Sequence, residues 1–263
     1  MAGEAALVTG AGKRLGRAMA LGLAARGLPV IVHYNSSADA ANDVVREITS
    51  GGGKAASIGA NLMDENAVAG LIDAARDAIG APLALLVNSA STFENDDIDT
   101  MTRASWDLHM EVNLRAPVAL AQAFARQRPS VPPSEANANA SDNGLIVNLI
   151  DQRVKKLTPQ FLTYTASKAA LMSMTITLAQ ALGPRGIRVN AIGPGPTLRN
   201  KRQSAEDWRI QNDATVLGHG ATPDDIVHAL TYLIEAKAVT GQMIAVDGGQ
   251  HLSWQTPDVM ITE

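Results

Sequence analysis

The 263-residue chain has no cysteine. That single absence excludes disulfides, thiol nucleophiles and cysteine-ligated metals, and it suits a reducing, cytoplasmic compartment. Long apolar runs are also missing: LALLV, residues 83–87, falls far below the roughly 18 residues a membrane helix needs, so a soluble protein is expected. The opening MAGEAALVTG has no basic stretch followed by a long apolar core, and no secretory leader is expected. Positive charge is not in excess, with 22 Lys+Arg against 26 Asp+Glu and a formal net charge of −4, which gives no general pull toward nucleic acid or anionic membrane. The five histidines are scattered without ligand spacing, so no metal is assigned. Aromatics make up only 3% of the chain, so one at a motif position calls for a reason.

What is present is a globular balance of 46% hydrophobic and 18% charged residues. Short β-rich runs alternate with alanine-rich helical ones: AALVTG then GRAMALGLAARG, PVIVHY then ADAANDVVREITSGG, AASIGA then DENAVAGLIDAARDAIG, and LALLVNSAS before a long helical stretch. GLIVNLID, IRVNAIGPG and QMIAVDGG supply three further strands. Continuous apolar strands joined by amphipathic helices predict a single-domain Rossmann-type α/β fold over 1–263. Its doubly wound parallel sheet of about seven strands has helices on both faces and ligands at the strands' carboxyl ends. The segment 128–144, RPSVPPSEANANASDNG, has no periodicity and reads as a surface insertion.

In VTGAGKRLG, residues 8–16, a strand turns into a helix through Gly10, Gly12 and Gly16, off the G-x-G-x-x-G spacing. A helix start at such a turn offers backbone N–H groups and a positive dipole end to a pyrophosphate. In folds that prefer NAD, an acid about 20 residues on bonds the ribose 2′-hydroxyl. Here the second strand ends in His33, Tyr34, Asn35, Ser36 and Ser37, and the acid is missing. Lys13 and Arg14 could be two solvated cations, but with no acid present they are better explained by a 2′-phosphate: Arg14 as a planar fork, Lys13 as a point charge, Asn35 and Ser36 as neutral donors.

Tyr164 and Lys168, four apart in YTASK, share one face of a predicted helix. An ammonium beside a phenol favours phenolate and is expected to lower its pKa from about 10, which makes the tyrosine a workable proton donor. The motifs TGAGKRLG, NSAS at 88–91, Asn113 in EVNLRAP, YTASK and GPGPT at 193–197 occur in the order seen in the short-chain dehydrogenase/reductases, and the chain resembles that family from Thr9 to Gly249. The resemblance implies Asn113, Tyr164 and Lys168 as catalytic residues. For the cofactor it implies Gly10, Lys13, Arg14, Leu15 and Gly16 in the turn, His33, Tyr34, Asn35 and Ser36 beyond the second strand, and Asn61 and Leu62 at the adenine. Asn88, Ser89 and Ala90 would line the cofactor with Tyr164 and Lys168, and Pro194 and Gly195 would bring backbone amides to the nicotinamide carboxamide. Asn61 stands where the family more often has Asp.

Three departures resemble the pteridine reductase branch. Arg14 replaces a small residue, NSAS replaces N-N-A-G, and Asp151 in NLIDQR stands where the family's Ser polarises a carbonyl. That branch implies Ser91 and Phe93 as pterin contacts, Phe93 by stacking, together with Asp151 and Tyr164. A ketone needs a hydrogen-bond donor for its alkoxide, whereas a ring C=N needs hydride at carbon and a proton at nitrogen, which an Asp beside a Tyr can hold and relay. The resulting expectation is an NADPH-dependent reductase of dihydropterins or dihydrofolate, working as a cytoplasmic homotetramer with 198–213 covering the site. A carbonyl reductase acting on a 3-oxoacyl or other ketone is one alternative; a protein that binds NADPH without turnover is another.

Overall fold

The computed structural model describes residues 3–128, 143–200, 202–256 and 260. Seven strands, β1 (Ala5–Val8), β2 (Val30–Tyr34), β3 (Ala55–Gly59), β4 (Leu83–Asn88), β5 (Gly144–Leu149), β6 (Ile187–Pro194) and β7 (Met243–Val246), form one sheet in the order β3-β2-β1-β4-β5-β6-β7. All six pairings are parallel, as the continuous apolar strands require. The helices are α1 (Arg14–Ala25), α2 (Ala38–Ser50), α3 (Glu65–Ile79), α4 (Arg103–Met110), α5 (Ala116–Gln127), α6 (Leu162–Leu182), α7 (Ala205–Asp213) and α8 (Pro223–Glu235).

Side chains alternate across the pleat, so each strand feeds two cores. Ala6, Val8, Val30 and Val32 pack with Met19 and Leu23 of α1, Val44 of α2 and Leu230 of α8. On the other face Leu7, Ile31 and Ile146 meet Leu71 and Ile72 of α3, Leu120 and Phe124 of α5 and Leu182 of α6. Each fully buried aliphatic contributes about 1.5–3 kcal/mol, which is why the strands need no polar pattern. Helix α3 shows the local logic: Val68, Leu71, Ile72, Ala75 and Ile79 recur at helical spacing, Asp64 caps the start by accepting from Asn66 and Ala67 N–H, and Gly80 ends it at φ 64.

The insertion expected at 128–144 falls mostly on residues 129–142, outside the described residues. Its flanks are joined: Arg128 Nε bonds the Asn143 carbonyl, and Arg128 Nη1 reaches Glu4 Oε1 at 2.6 Å. Between β1 and β4 the winding reverses, which opens a crevice at their carboxyl ends. Gly10, Ser89, Asp151 and Pro194 all lie at that edge of the sheet.

Candidate active site

The glycine turn is held from behind. Thr9 Oγ1 accepts from the Ser89 and Ala90 amides, each at 3.0 Å, tying β1 to the end of β4. Gly10 has φ 64, and a Cβ there would lie 2.9 Å from Ala90 Cα; a Cβ on Gly16 would lie 2.3 Å from the Gly10 carbonyl oxygen. Both glycines are therefore required by close approach. His33, expected among the cofactor contacts, is instead buried behind the turn at 1% exposure. Its Nδ1 accepts from Gly10 N–H at 3.1 Å and its Nε2 faces the Ala60 carbonyl at 3.0 Å, so both ring nitrogens are committed to the fold. Burial pushes its pKa down to about 4 against the bond to Ala60, which keeps the ring neutral.

The residues around the turn fit an anionic dinucleotide. Helices α3, α4, α7 and α8 begin with a side-chain cap, whereas α1 and α2 begin with none from Lys13 and Ser37. Two helix N-termini at the carboxyl ends of β1 and β2 thus keep their N–H groups open, beside the exposed Lys13, Asn35 and Ser36. Gly12 packs against the backbone of Ala40 and Ala41, so the two corners adjoin. Tyr34 lies against Gly59, and Leu15 joins the core beneath.

Arg14 departs from the sequence reading. Its Nη2 and Nη1 donate to the carbonyls of Leu198 and Arg199 at 2.8 and 3.1 Å, so the guanidinium holds the segment past β6 and not the end of β2. The side chain is long enough to choose either direction, and the free carbonyls decided it. Arg202, from the same segment, donates to the Phe93 carbonyl at 2.7 Å and to Glu94 Oε2 at 2.9 Å. Leu198 and Arg199 are thereby strapped to the glycine turn, and Arg202, ahead of α7, to the Phe93 loop.

At the centre, Tyr164 Oη donates to Asp151 Oδ2 at 2.9 Å, while Asp151 Oδ1 accepts from Arg153 N–H at 2.7 Å. Asp151 is both a cap for the turn at 152–154 and the partner of the tyrosine. Burial raises the Asp151 carboxyl above its usual range, against the bonds from Arg153 and Tyr164. Burial and the facing carboxylate together push the Tyr164 phenol well above 10. That reverses the expected lowering by Lys168. The ammonium lies 5.8 Å from the phenol ring centroid and donates to the Leu149 carbonyl at 2.7 Å, and burial brings its own pKa down to about 8.

Asn113 sits in a single π-helical turn, Glu111–Arg115, between α4 and α5, a device that turns a side chain inward. Its Oδ1 accepts from Thr92 N–H at 2.9 Å and Ser91 Oγ at 3.1 Å, and its Nδ2 donates to the Thr92 carbonyl at 3.0 Å and Ser167 Oγ at 3.2 Å. It pins the loop after β4, and its bonds go to that loop and to Ser167. Asn88 donates to Asn148 Oδ1 at 2.8 Å inside the sheet, with both side chains buried. Phe93 stacks on Phe161 with centroids 4.3 Å apart and meets Tyr164 edge-on at 4.7 Å. Phe161 at φ 56 and Arg14 at φ 52 are the only non-glycine residues at positive φ among the described residues, and both border the site.

Two further expectations change. Gly195 N–H donates to the Val246 carbonyl at 3.0 Å and Pro194 has no N–H, so neither residue has an amide donor to give. Asn61 is exposed after β3 and accepts from Met63 N–H at 3.0 Å, while the Leu62 side chain is in the core, which leaves its backbone for any adenine. Sequence reasoning missed Phe161, Asp96, His109 and Thr163. Asp96 lies in the acidic run ENDDID, which reads as solvated loop, and nothing in the spacing of His109 marks it as buried.

A switch-point crevice with an anion-ready glycine turn and a Tyr–Lys pair beside it defines a dinucleotide-dependent oxidoreductase. A family model described as Enoyl-(Acyl carrier protein) reductase matches residues 10–251, and the chain belongs to the short-chain dehydrogenase/reductase family. FolM alternative dihydrofolate reductase 1 from Brucella suis, solved in complex with NADP, is 44% identical, with 98% of each chain covered and a TM-score of 0.88. The 3beta-hydroxysteroid dehydrogenase 1 of Eggerthella lenta is 32% identical over 256 residues, 95% of this chain and 94% of that protein. The 3-oxoacyl-[acyl-carrier-protein] reductase FabG of Staphylococcus aureus is 31% identical over 257 residues, 95% and 98% of the two. Among the described residues no helix is long and apolar enough to cross a membrane.

Proposed function

We propose that the protein is an NADPH-dependent reductase of pteridines, with dihydropterins and dihydrofolate as its substrate class. The observation that carries this reading is the 2.9 Å bond from Tyr164 to Asp151, a carboxylate where the family pattern has a serine. The 44% identity to a FolM alternative dihydrofolate reductase supports the same class. The open N-termini of α1 and α2, with Lys13, Asn35 and Ser36, would hold the phosphates, and NADPH would supply the hydride.

Tyr164 gives its proton to the ring nitrogen as hydride reaches the adjacent carbon. Asp151 then restores that proton. Its pKa, raised by burial, lets it hold a proton nearer neutrality than an ordinary carboxylate, and in that form it donates to the Tyr164 oxygen, turning the phenol O–H toward substrate. The Lys168 ammonium supports the transient phenolate, and Phe93 holds the flat heterocycle beside Tyr164. Asn113 keeps Ser91 and Thr92 in the wall.

The second reading is ketone reduction. It is favoured by the steroid and 3-oxoacyl relatives. By family resemblance we also infer a cytoplasmic homotetramer. The deciding experiment follows NADPH oxidation with dihydrobiopterin, dihydromonapterin, dihydrofolate and an acetoacetyl thioester side by side. Turnover confined to pteridines is expected; turnover confined to the thioester would leave the ketone reading.

A further inference from the structure

Behind Tyr164 lies a buried polar chain whose hydrogen bonds reach none of the Asp151, Tyr164 and Lys168 side chains. Its three members come from distant segments: Asp96 from the loop after β4, His109 from the last turn of α4, and Thr163 from the first turn of α6, at 3%, 0% and 0% exposure. Thr163 Oγ1 donates to Asp96 Oδ2, Thr163 N–H donates to Asp96 Oδ1 at 3.1 Å, and Leu162 N–H donates to the Asp96 carbonyl at 3.2 Å. His109 Nδ1 is 2.7 Å from Thr163 Oγ1, and His109 Nε2 is 3.2 Å from Glu94 N–H.

The directions of these bonds are determined. Glu94 N–H can only donate, so Nε2 is an acceptor and the ring proton sits on Nδ1. That proton points to Thr163 Oγ1, whose own proton goes to Asp96, which can only accept while ionised. The sequence of donors runs from Glu94 through His109 and Thr163 to Asp96. Such a network is worth little as net stability, because apolar side chains of similar volume would pack about as well; what it fixes is geometry.

The geometry it fixes is that of the site. Asp96 supplies the N-terminal cap that α6 lacks from its own Phe161, and the next residue on that helix after Thr163 is Tyr164. His109 and Asp96 hold the loop on both sides of residues 94–96, immediately after Phe93. The His109 ring also stands edge-on to Tyr164 at 5.9 Å. The helix that carries the phenol and the loop that carries the stacking ring are therefore locked to each other at Asp96, and the Thr163 hydroxyl is the group that joins this lock to His109.

We infer that Asp96, Thr163 and His109, with His109 as the Nδ1–H tautomer, are positioning residues for the reduction, and that they set Tyr164 against the ring held by Phe93. The inference rests on Tyr164 being the proton donor. Thr163→Val removes the hydroxyl without changing the shape, and Thr163→Ser returns it. With full-length protein and saturating NADPH, Thr163→Val should lower kcat/KM for a dihydropterin by about 10- to 100-fold, the scale of a small misplacement of reacting groups. KM for NADPH should stay within about twofold, because the cofactor corner shares none of these residues, and Thr163→Ser should recover most of the loss.

A purely structural role would lower Tm without that split. Equal losses toward substrate and NADPH, or a destabilised Thr163→Val enzyme with unchanged kinetics, would overturn the inference. A second measurement covers a variant that does not fold. In the wild-type NADPH complex, imidazole ¹⁵N shifts for His109 should report a neutral ring protonated at Nδ1 at pH 7; an Nε2–H ring or an imidazolium would overturn it. Tyr164→Phe, run alongside, separates the two readings. An inactive Tyr164→Phe with a fully active Thr163→Val defeats this inference alone, and an active Tyr164→Phe defeats both.

Discussion

Replacing His33 with glutamine should flatten the acid side of the stability curve, because His33 is a histidine that folding holds neutral. Its pKa falls from 6.5 to about 4 in the folded state, chiefly through burial. The unfolded chain therefore binds the extra proton first as pH drops, and native stability falls across that window: it is intact above pH 6.5 and the loss is complete below about 4. A shift of that size corresponds to roughly 3 kcal/mol in total, of which about 2 kcal/mol is gone by pH 5. Protonation also places an N–H where Nδ1 accepts from Gly10, so the glycine turn loosens and NADPH affinity weakens in the same range. Glutamine keeps an acceptor and a donor but does not titrate. The assay is urea unfolding of both proteins at half-unit steps from pH 8 to 4.5, read as the difference between the two curves. A difference that stays constant with pH would refute the assignment of His33 as a buried neutral tie.

Asp151→Asn should cut dihydropterin reduction by about 10²-fold or more, the usual scale for a positioned acid or base, with NADPH affinity unchanged in fluorescence titration. The same variant should be more stable than wild type at neutral pH. The carboxyl's folded pKa is raised, so the native state binds the extra proton, wild-type stability declines as pH rises through that window, and the amide escapes the decline. Gly16→Ala should abolish NADPH binding while the chain still folds, since its Cβ would sit 2.3 Å from the Gly10 carbonyl and displace the turn; normal cofactor affinity would contradict the close packing. Arg14→Ala should raise amide exchange in residues 198–200 and leave the ratio of NADPH to NADH affinity nearly intact, because its two bonds run to Leu198 and Arg199. A collapse of that ratio would return Arg14 to the 2′-phosphate.

The alternation of apolar runs with helical ones determined the sheet, its parallel pairing and the edge at which ligands bind, because burial of both faces leaves a β-strand no other composition. Ordered motifs likewise marked Gly10, Gly16, Asp151, Tyr164 and Lys168, each tied to its neighbours in the chain by a turn or a helical face. Contacts between distant segments were not legible. Whether Arg14 reaches toward β2 or toward residue 198 depends on which acceptors the fold leaves within range of a flexible side chain. That His33 lies behind the glycine turn, and that the Tyr164 phenol is pushed up rather than down, follow from burial and from a carboxylate thirteen residues away, neither of which helix spacing reports. Asp96, His109 and Thr163 share no local pattern at all; only packing α4, α6 and the β4 loop around one hydroxyl makes them a unit. Local periodicity is set by the backbone's own repeat, whereas the partner of a polar side chain is set by whichever groups the closed core shuts off from water.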